Sequence, residues 1–225
     1  VLNIIYLSNE GDFGKKGLQL LEEITNLEVK GKFFGTEMTK GDIPDNTDLI
    51  ISFCYPKLIK KEVFEVARFG CINFHPAPLP EYKGFAVYNF AILNGEKEWG
   101  VSAHFIDQKF DTGDIIKVNR FKIGKETAHS LRKKSRDRLL ILLKEVANEF
   151  ALSGKLTSIK QDKNKGKYYS KKMMNENRVI TPSDDAITIE RKIRAFWCPP
   201  YAGAAIKLNN IEYTLINKEI LKTIE

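Results

Sequence analysis

Apolar positions along the first half of the chain alternate between two rhythms. Leu2–Leu7 is a short apolar run, and Gly14–Ile24 then carries Leu18, Leu21 and Ile24 at the spacing of one helical face. Leu27–Phe34 alternates apolar with polar residues and stops at Gly35, which predicts a strand. After a polar stretch over 35–46, Asp48–Phe53 is short and apolar enough for a buried strand. Pro56 suits the first turn of a helix reaching about Arg68, with Leu58, Ile59, Val63 and Val66 inward. Gly70–Phe74 predicts the next strand, His75–Gly84 a Pro-rich loop, and Ala86–Asn94 a helix closed by Gly95. Trp99–Asp107 and Asp114–Ile123 read as strands around the loop 108–113, and Glu126–Leu152 as a long amphipathic helix stopped at Gly154. Short buried strands alternating with helices predict an α/β fold, a doubly wound, mostly parallel sheet with helices on both faces. Such sheets bind ligands beyond the carboxyl ends of their strands.

The texture changes near residue 160. Leu156–Lys172 is polar and lysine-rich around an awkward Gly166, and predicts a linker over the surface. Asp184–Phe196 predicts a helix capped by Ser183, and Ala204–Leu208 with Ile211–Ile216 fits a hairpin turning at Asn209-Asn210. The expected organisation is a main domain over 1–160 and a small C-terminal helix and hairpin region over 161–225.

Composition narrows the classes. Of 225 residues, 43% are hydrophobic and 29% charged, which excludes wholesale disorder and a disulfide-stapled miniature. The apolar runs Ile4–Leu7 and Leu49–Ile51 fall far short of the roughly 20 residues of a membrane helix, so no membrane association is expected. Leu2–Leu7 is too short, and lacks the basic flank, for a secretory leader. Cys54, Cys71 and Cys198 form no C-x-x-C pair, so a reducing, cytoplasmic setting is expected. With neither H-x-x-x-H nor a cysteine cluster, no metal site is expected. The net charge of +7 fits either anionic ligands or lysines spread over solvated faces. Arg132–Arg138 precedes Leu139–Leu143 and reads as the polar shoulder of a helix. It lacks interleaved aromatics, so a nucleic-acid module is not expected.

Three segments could carry chemistry. Ser8–Gly17 occupies the place of a dinucleotide phosphate loop, but its glycines are spaced G-x-x-G-x-x-G, which favours a turn and a helix start. Asn73 and His75 fall on one side of a strand at its carboxyl end, an amide beside an imidazole. The plain alternative for His75 is a loop histidine held by backbone carbonyls, and His129 reads as solvated. Asp107, Asp111 and Asp114 surround Thr112-Gly113, which by itself is ordinary turn chemistry.

Taken in order, Asn73-Phe74-His75-Pro76, Leu79-Pro80-Glu81-Tyr82-Lys83-Gly84, Ala91-Ile92-Leu93-Asn94-Gly95-Glu96, Gly100-Val101-Ser102-Ala103-His104 and Asp111-Thr112-Gly113-Asp114-Ile115-Ile116 resemble the formyltransferases that use formyltetrahydrofolate. The resemblance is strong over about residues 48–120 and weak over 1–47. It implies a Rossmann-like core, catalytic Asn73, His75 and Asp111, and 10-formyltetrahydrofolate as co-substrate without a metal. It further implies a folate site at Cys54, Tyr55, His104, Phe105 and Asp107, and an acceptor site at Tyr82, Lys83, Gly84, Trp197 and Tyr201. Lys83 would offer charge to a diphosphate, or be a solvated loop lysine; Trp197 and Tyr201 would touch nucleotide or only pack.

The tail is similar to the start of the C-terminal region in tRNA and sugar formyltransferases, through Tyr168–Lys172 and Ile193–Ala204. A tRNA enzyme is expected to continue into a full RNA-binding barrel, and glycinamide ribonucleotide transformylases carry a phosphate loop after the first strand that differs from Ser8–Gly17. The sugar N-formyltransferases remain, with a nucleoside-diphosphate amino sugar as acceptor. A dTDP-4-amino-4,6-dideoxyhexose is expected first, then a 3-amino isomer or a UDP-linked sugar. A product bound for lipopolysaccharide or another surface glycan, and a homodimer through the tail, follow from the same resemblance. In that chemistry Asn73 would stabilise the formyl oxygen as the amine adds, His75 would move the proton, and Asp111 would hold His75 in one tautomer. A formyltetrahydrofolate hydrolase, a silent folate- or nucleotide-binding protein and an RNA-binding module are the alternatives.

Overall fold

In the computed structural model, which describes every residue except 163, 210 and 225, one six-stranded sheet organises the chain. It is built from β1 (Leu2–Ser8), β2 (Leu27–Phe34), β3 (Leu49–Phe53) and β4 (Cys71–His75), all parallel. β5 (Tyr82–Gly84) stands apart, and β6 (Glu98–Phe105) and β7 (Ile115–Lys122) complete the sheet, β6 antiparallel to both neighbours. The strand order is β2-β1-β3-β4-β6-β7. β3 is buried throughout, as a central strand with both faces covered must be, whereas β2 at the edge alternates exposed and half-buried residues. The period of two divides β1 between two cores: Ile4 and Tyr6 enter the larger, Ile5 and Leu7 the smaller.

The larger core lies under α1 (Asp12–Glu22), α3 (Val87–Leu93) and α4 (Ala128–Ser153). α4 seats Leu131, Leu139, Leu142, Val146 and Phe150 against the sheet. Thr127 caps its start by accepting from the Ser130 amide, and Gly154 ends it in the left-handed conformation. The smaller core holds Met38, Ile43, Val63, Phe64 and Cys71 on the opposite face. Among the described residues, no helix is long and apolar enough to cross a membrane.

Several expectations are corrected. The helix expected over 56–68 is only α2 (Lys61–Phe64), starting after Lys60 rather than at Pro56. Cys54, just after β3, takes a left-handed φ of 57°, and the Tyr55 hydroxyl donates to the Thr36 carbonyl. Leu58 is consequently 66% exposed, and Val63 and Phe64 supply the buried face. The linker over 156–172 is tied to the main body instead. Ile159 pairs with Ile115 through two backbone hydrogen bonds of 2.8 and 2.9 Å, and β8 (Lys167–Tyr169) runs parallel to β5.

Beyond it come α5 (Lys171–Arg178), which the sequence pattern did not predict, and α6 (Ala186–Phe196). Asp185, not Ser183, caps α6, accepting from Thr188 N at 2.7 Å. The hairpin forms as β9 (Ala205–Leu208) and β10 (Ile211–Thr214), and a short α7 (Lys218–Leu221) follows. Of the expected turn pair, Asn210 lies outside the described residues.

Gly166 explains its own awkwardness. Its φ is +78°, and a Cβ there would sit 1.8 Å from the Pro80 carbonyl oxygen. Gly166→Ala is therefore expected to destabilise the fold by about 2–4 kcal/mol, combining strain with a backbone clash. Urea unfolding checks this, and an unchanged midpoint would mean that 159–169 is loosely held.

Candidate active site

The carboxyl end of β4 carries Asn73 and His75, and neighbouring strands position both. β3 lies parallel on one side, so that Ser52 stands opposite Asn73 and donates from Oγ to its Oδ1 at 3.0 Å. β6 lies antiparallel on the other side, so that His104 stands opposite Asn73. The His104 Nδ1–H donates to the Phe105 carbonyl at 2.7 Å, which leaves Nε2 to accept from the Asn73 amide at 3.2 Å. Asn73 thus keeps one amide hydrogen for the adjoining cavity.

His75 is buried, and its Nε2 lies 2.9 Å from the Tyr82 carbonyl. A carbonyl only accepts, so Nε2 carries the hydrogen and the neutral ring turns its Nδ1 lone pair towards Asp111 Oδ1, 3.5 Å away. The tautomer is therefore fixed by the Tyr82 backbone, not by Asp111 as expected. Asp111 Oδ1 also lies 3.6 Å from His104 Nε2, and Oδ2 accepts from Gly84 N at 2.8 Å. Burial pulls His75 below its ordinary pKa, while the Asp111 charge opposes that shift. Burial would also raise Asp111, but positive charge on the imidazoles beside it, His75 first, and the Gly84 N–H outweigh it and hold its carboxyl well below the usual range whenever a ring is protonated.

Asp111 sits on a tight turn with a left-handed φ of 57°. Asp107 Oδ1 fastens that turn, accepting from Lys109 N at 3.1 Å and from the Thr112 hydroxyl at 2.6 Å. Gly113 lets the turn press on β6, since a Cβ there would lie 1.9 Å from the Phe105 carbonyl oxygen.

A cavity of about 540 Å³ opens beside this cluster, lined by Asn73, His104 and Asp111 together with Tyr55, Ile59 and Phe110. Of the five residues expected at the folate site, Tyr55, His104 and Asp107 line it. Phe105 lines an adjoining groove of about 640 Å³ that shares Ile106 and Asp107 with it. Cys54 lines neither; it lies close to Arg132 and Arg136, and burial pushes its thiol up to about 11 in spite of their charge. Among the described residues, no group of three or more His, Cys, Asp or Glu side chains is placed to hold a metal ion.

The expected acceptor residues divide as well. Tyr82 points into the core, its ring stacked on Tyr169 and its hydroxyl donating to Glu96 at 2.7 Å, so only its carbonyl reaches the cluster. Gly84 enters through its amide. Lys83 is buried rather than solvated, and its ammonium donates to the Lys165 carbonyl at 2.9 Å. Trp197 is half-buried, and its carbonyl accepts from His129 N, whereas Tyr201 is exposed.

A basic cleft of about 390 Å³ was not expected. It lies between α1 and α4 and is lined by Phe13, Lys16, Arg132, Lys133 and Arg136, with Asp12 and Asp137 among them. The Arg136 guanidinium stands 4.8 Å over the Phe13 ring. The sequence signal was present in the basic run before Leu139, but it read as a solvated shoulder.

Comparison with known proteins bears on this arrangement. Residues 29–146 match the formyl transferase family. GDP-perosamine N-formyltransferase of Brucella melitensis is 31% identical over 185 residues, covering 79% of this chain and 67% of that protein. A 4-N formyltransferase from Francisella tularensis shares the fold with a TM-score of 0.83 at 18% identity, over 96% of this chain and 98% of that one. An N-formyltransferase from Helicobacter canadensis, solved with folinic acid and dTDP-3-aminofucose, gives a TM-score of 0.72 at 23% identity, over 93% and 85%.

Proposed function

The chain belongs to the formyl transferase family, and from that premise we propose that it moves a formyl group from 10-formyltetrahydrofolate to the amino group of a nucleoside-diphosphate amino-dideoxy sugar. The observation that carries this reading is the cluster of Asn73, His75, His104 and Asp111 beside a largely apolar cavity. The name of the Brucella relative and the ligands of the Helicobacter structure support the substrate class.

The cavity fits a folate. Tyr55, Ile59, Phe64 and Phe110 offer apolar and aromatic surface to flat rings, and Lys57, Lys60 and Lys61 at its rim offer charge to a glutamate carboxylate. The folate supplies a formyl group activated by its bond to nitrogen. Asn73 directs its remaining amide hydrogen at the formyl oxygen, where negative charge grows as the amine adds. His75 Nδ1 takes the proton that the amine must lose, and the Asp111 carboxylate stabilises the imidazolium so formed. The same proton then goes to the folate nitrogen that leaves. His104 orients the Asn73 amide and adds its ring to the field around Asp111.

The cleft between α1 and α4 suits the diphosphate. Arg132 and Arg136 project from one side of α4 near Cys54, at the carboxyl end of β3. A diphosphate contact from Lys83 would have to displace its bond to Lys165. Arg136→Ala is expected to raise KM for the sugar nucleotide roughly tenfold, the loss of one charged hydrogen bond, with KM for folate unchanged. An unchanged KM for the sugar nucleotide would remove the cleft from the acceptor site. The hairpin turns Leu208, Ile211 and Tyr213 outward, an apolar face that a homodimer through the tail would cover.

The decisive assay incubates the protein with 10-formyltetrahydrofolate and dTDP-, UDP- and GDP-linked amino sugars, with methionyl-tRNA and buffer as further arms. Mass spectrometry should show one added formyl group on a sugar nucleotide. Folate turnover in buffer alone would favour a hydrolase, and formylation of methionyl-tRNA alone would replace the sugar. A dTDP-4-amino-4,6-dideoxyhexose is the first acceptor to test.

A further inference from the structure

We propose that Gln161 is a positioning residue for the proposed formyl transfer, clamping the turn that presents Asp111 to His75 and His104. The inference rests on the roles given above to Asn73, His75 and Asp111. Gln161 belongs to the segment after α4 and touches none of the three side chains directly in the bonds it makes. It is 4% exposed, and its Nε2 donates to the Asp111 carbonyl at 3.2 Å and to the Gly113 carbonyl at 2.7 Å. One amide group thus holds the backbone on both sides of Thr112.

That turn needs holding. Asp111 is a non-glycine residue at φ 57°, a conformation that persists where its surroundings fix it. Gly113 is pressed against the Phe105 carbonyl, so the turn has little room to relax towards the sheet. Without Gln161, two buried-side carbonyls lose their donor and the turn can swing outward. The carboxylate would then leave the 3.5 and 3.6 Å separations it keeps from the two imidazoles.

The same segment supports Asp111 from its other side. Gly84 N, which donates to Asp111 Oδ2, lies in β5, and β5 is held by β8 and by the bond from Phe85 N to the Tyr169 carbonyl at 2.8 Å. Ile159 anchors the near end of the segment on Ile115. The stretch from 159 to 169 therefore braces the backbone of Asp111 through Gln161 and its carboxylate through Gly84. The Gln161 Oε1 is buried without a partner, so the side chain's bonds are those its nitrogen donates.

Two variants separate positioning from packing. Gln161→Met fills similar volume with no donor, and Gln161→Glu keeps the shape while replacing the donating nitrogen with oxygen. Both are expected to lower kcat roughly tenfold to a hundredfold, as a misplaced catalytic group does, with KM for folate and for the sugar nucleotide within about twofold. A second reading needs no acceptor at all. The charged groups facing His75 are Asp111 from the turn and His104 from β6; Tyr82 in β5 offers only its carbonyl. Asp111 raises the His75 pKa, so a displaced Asp111 lets it fall. Proton NMR titration of the histidines, assigned with single His→Gln variants, should show the His75 midpoint at lower pH in both Gln161 variants. The thermal midpoint should change by only a few degrees. An unshifted His75 titration in the folded variants, or a kcat within threefold of the parent, would overturn the proposal. Because the titration needs no substrate, a shift in protein that formylates no sugar would keep the brace and reject the acceptor instead.

Discussion

Replacing Asn73 or His75 by Ala is expected to lower kcat/KM by about 10²–10³, within the usual effect of removing an oxyanion donor or a general base. Asn73→Ala removes the amide hydrogen aimed at the cavity and also leaves Ser52 and His104 without their partner. His75→Ala removes the proton acceptor and leaves the Tyr82 carbonyl unpaired. In the proposed transfer both residues act on one event, the growth of charge on oxygen as the proton leaves nitrogen. The double variant should therefore be little worse than the poorer single one, because groups that act as a unit are not additive. Steady-state kinetics with a circular-dichroism check of the fold decides the matter. Independent, multiplying losses would show that the two side chains serve separate steps.

Asp111→Asn should be the most damaging of the three changes from aspartate to asparagine in this region. Asparagine can still accept from Gly84 N, but it cannot balance an imidazolium 3.5 Å away. A loss of roughly 10²–10⁴-fold in kcat is expected, the range seen where a charge supporting a catalytic histidine is neutralised. Asp107→Asn keeps an oxygen for Lys109 N and the Thr112 hydroxyl and should cost much less. Asp114 is exposed, and its replacement should matter least. The sign of the accompanying pH effect is fixed. Asp111 favours the charged form of His75, so removing its charge lowers the His75 pKa and moves the acidic limb of kcat/KM to lower pH. Equal losses at all three positions would mean that the turn matters only as structure.

The sheet and the ends of its strands were legible because their signals are local. The run Leu49–Phe53 reads as a buried strand without knowledge of its neighbours, and Asn73 and His75 share a face by period alone. Asp111 was legible only through its motif, since three aspartates around Thr-Gly describe any tight turn. What sequence could not show is what long-range pairing decides. β5 and β8 have three residues each, too few for a period, and they meet 85 positions apart. Tyr82 lies two residues before a glycine in a loop-like stretch, and nothing local says that its ring turns inward while its carbonyl turns to His75. The helix expected from Pro56 failed because a left-handed Cys54 redirects the chain before any helical face can pack. Lys171–Arg178 forms a helix around two methionines and is otherwise polar, so it carries little periodic signal.

The bond from His75 Nε2 to the Tyr82 carbonyl makes the imidazole a carrier with a single port. A histidine with both nitrogens open can pass a proton through itself, in at one edge and out at the other. Here one edge is sealed against a carbonyl that cannot take a proton, so loading and unloading share Nδ1. In the proposed transfer, the proton taken from the amine and the one given to the folate nitrogen would then pass through that single nitrogen. A transfer on those terms, begun with a neutral amine, would be proton-neutral towards the solvent. The ring would not load a second time until the first proton had been delivered, which would tie each amine consumed to one departing folate.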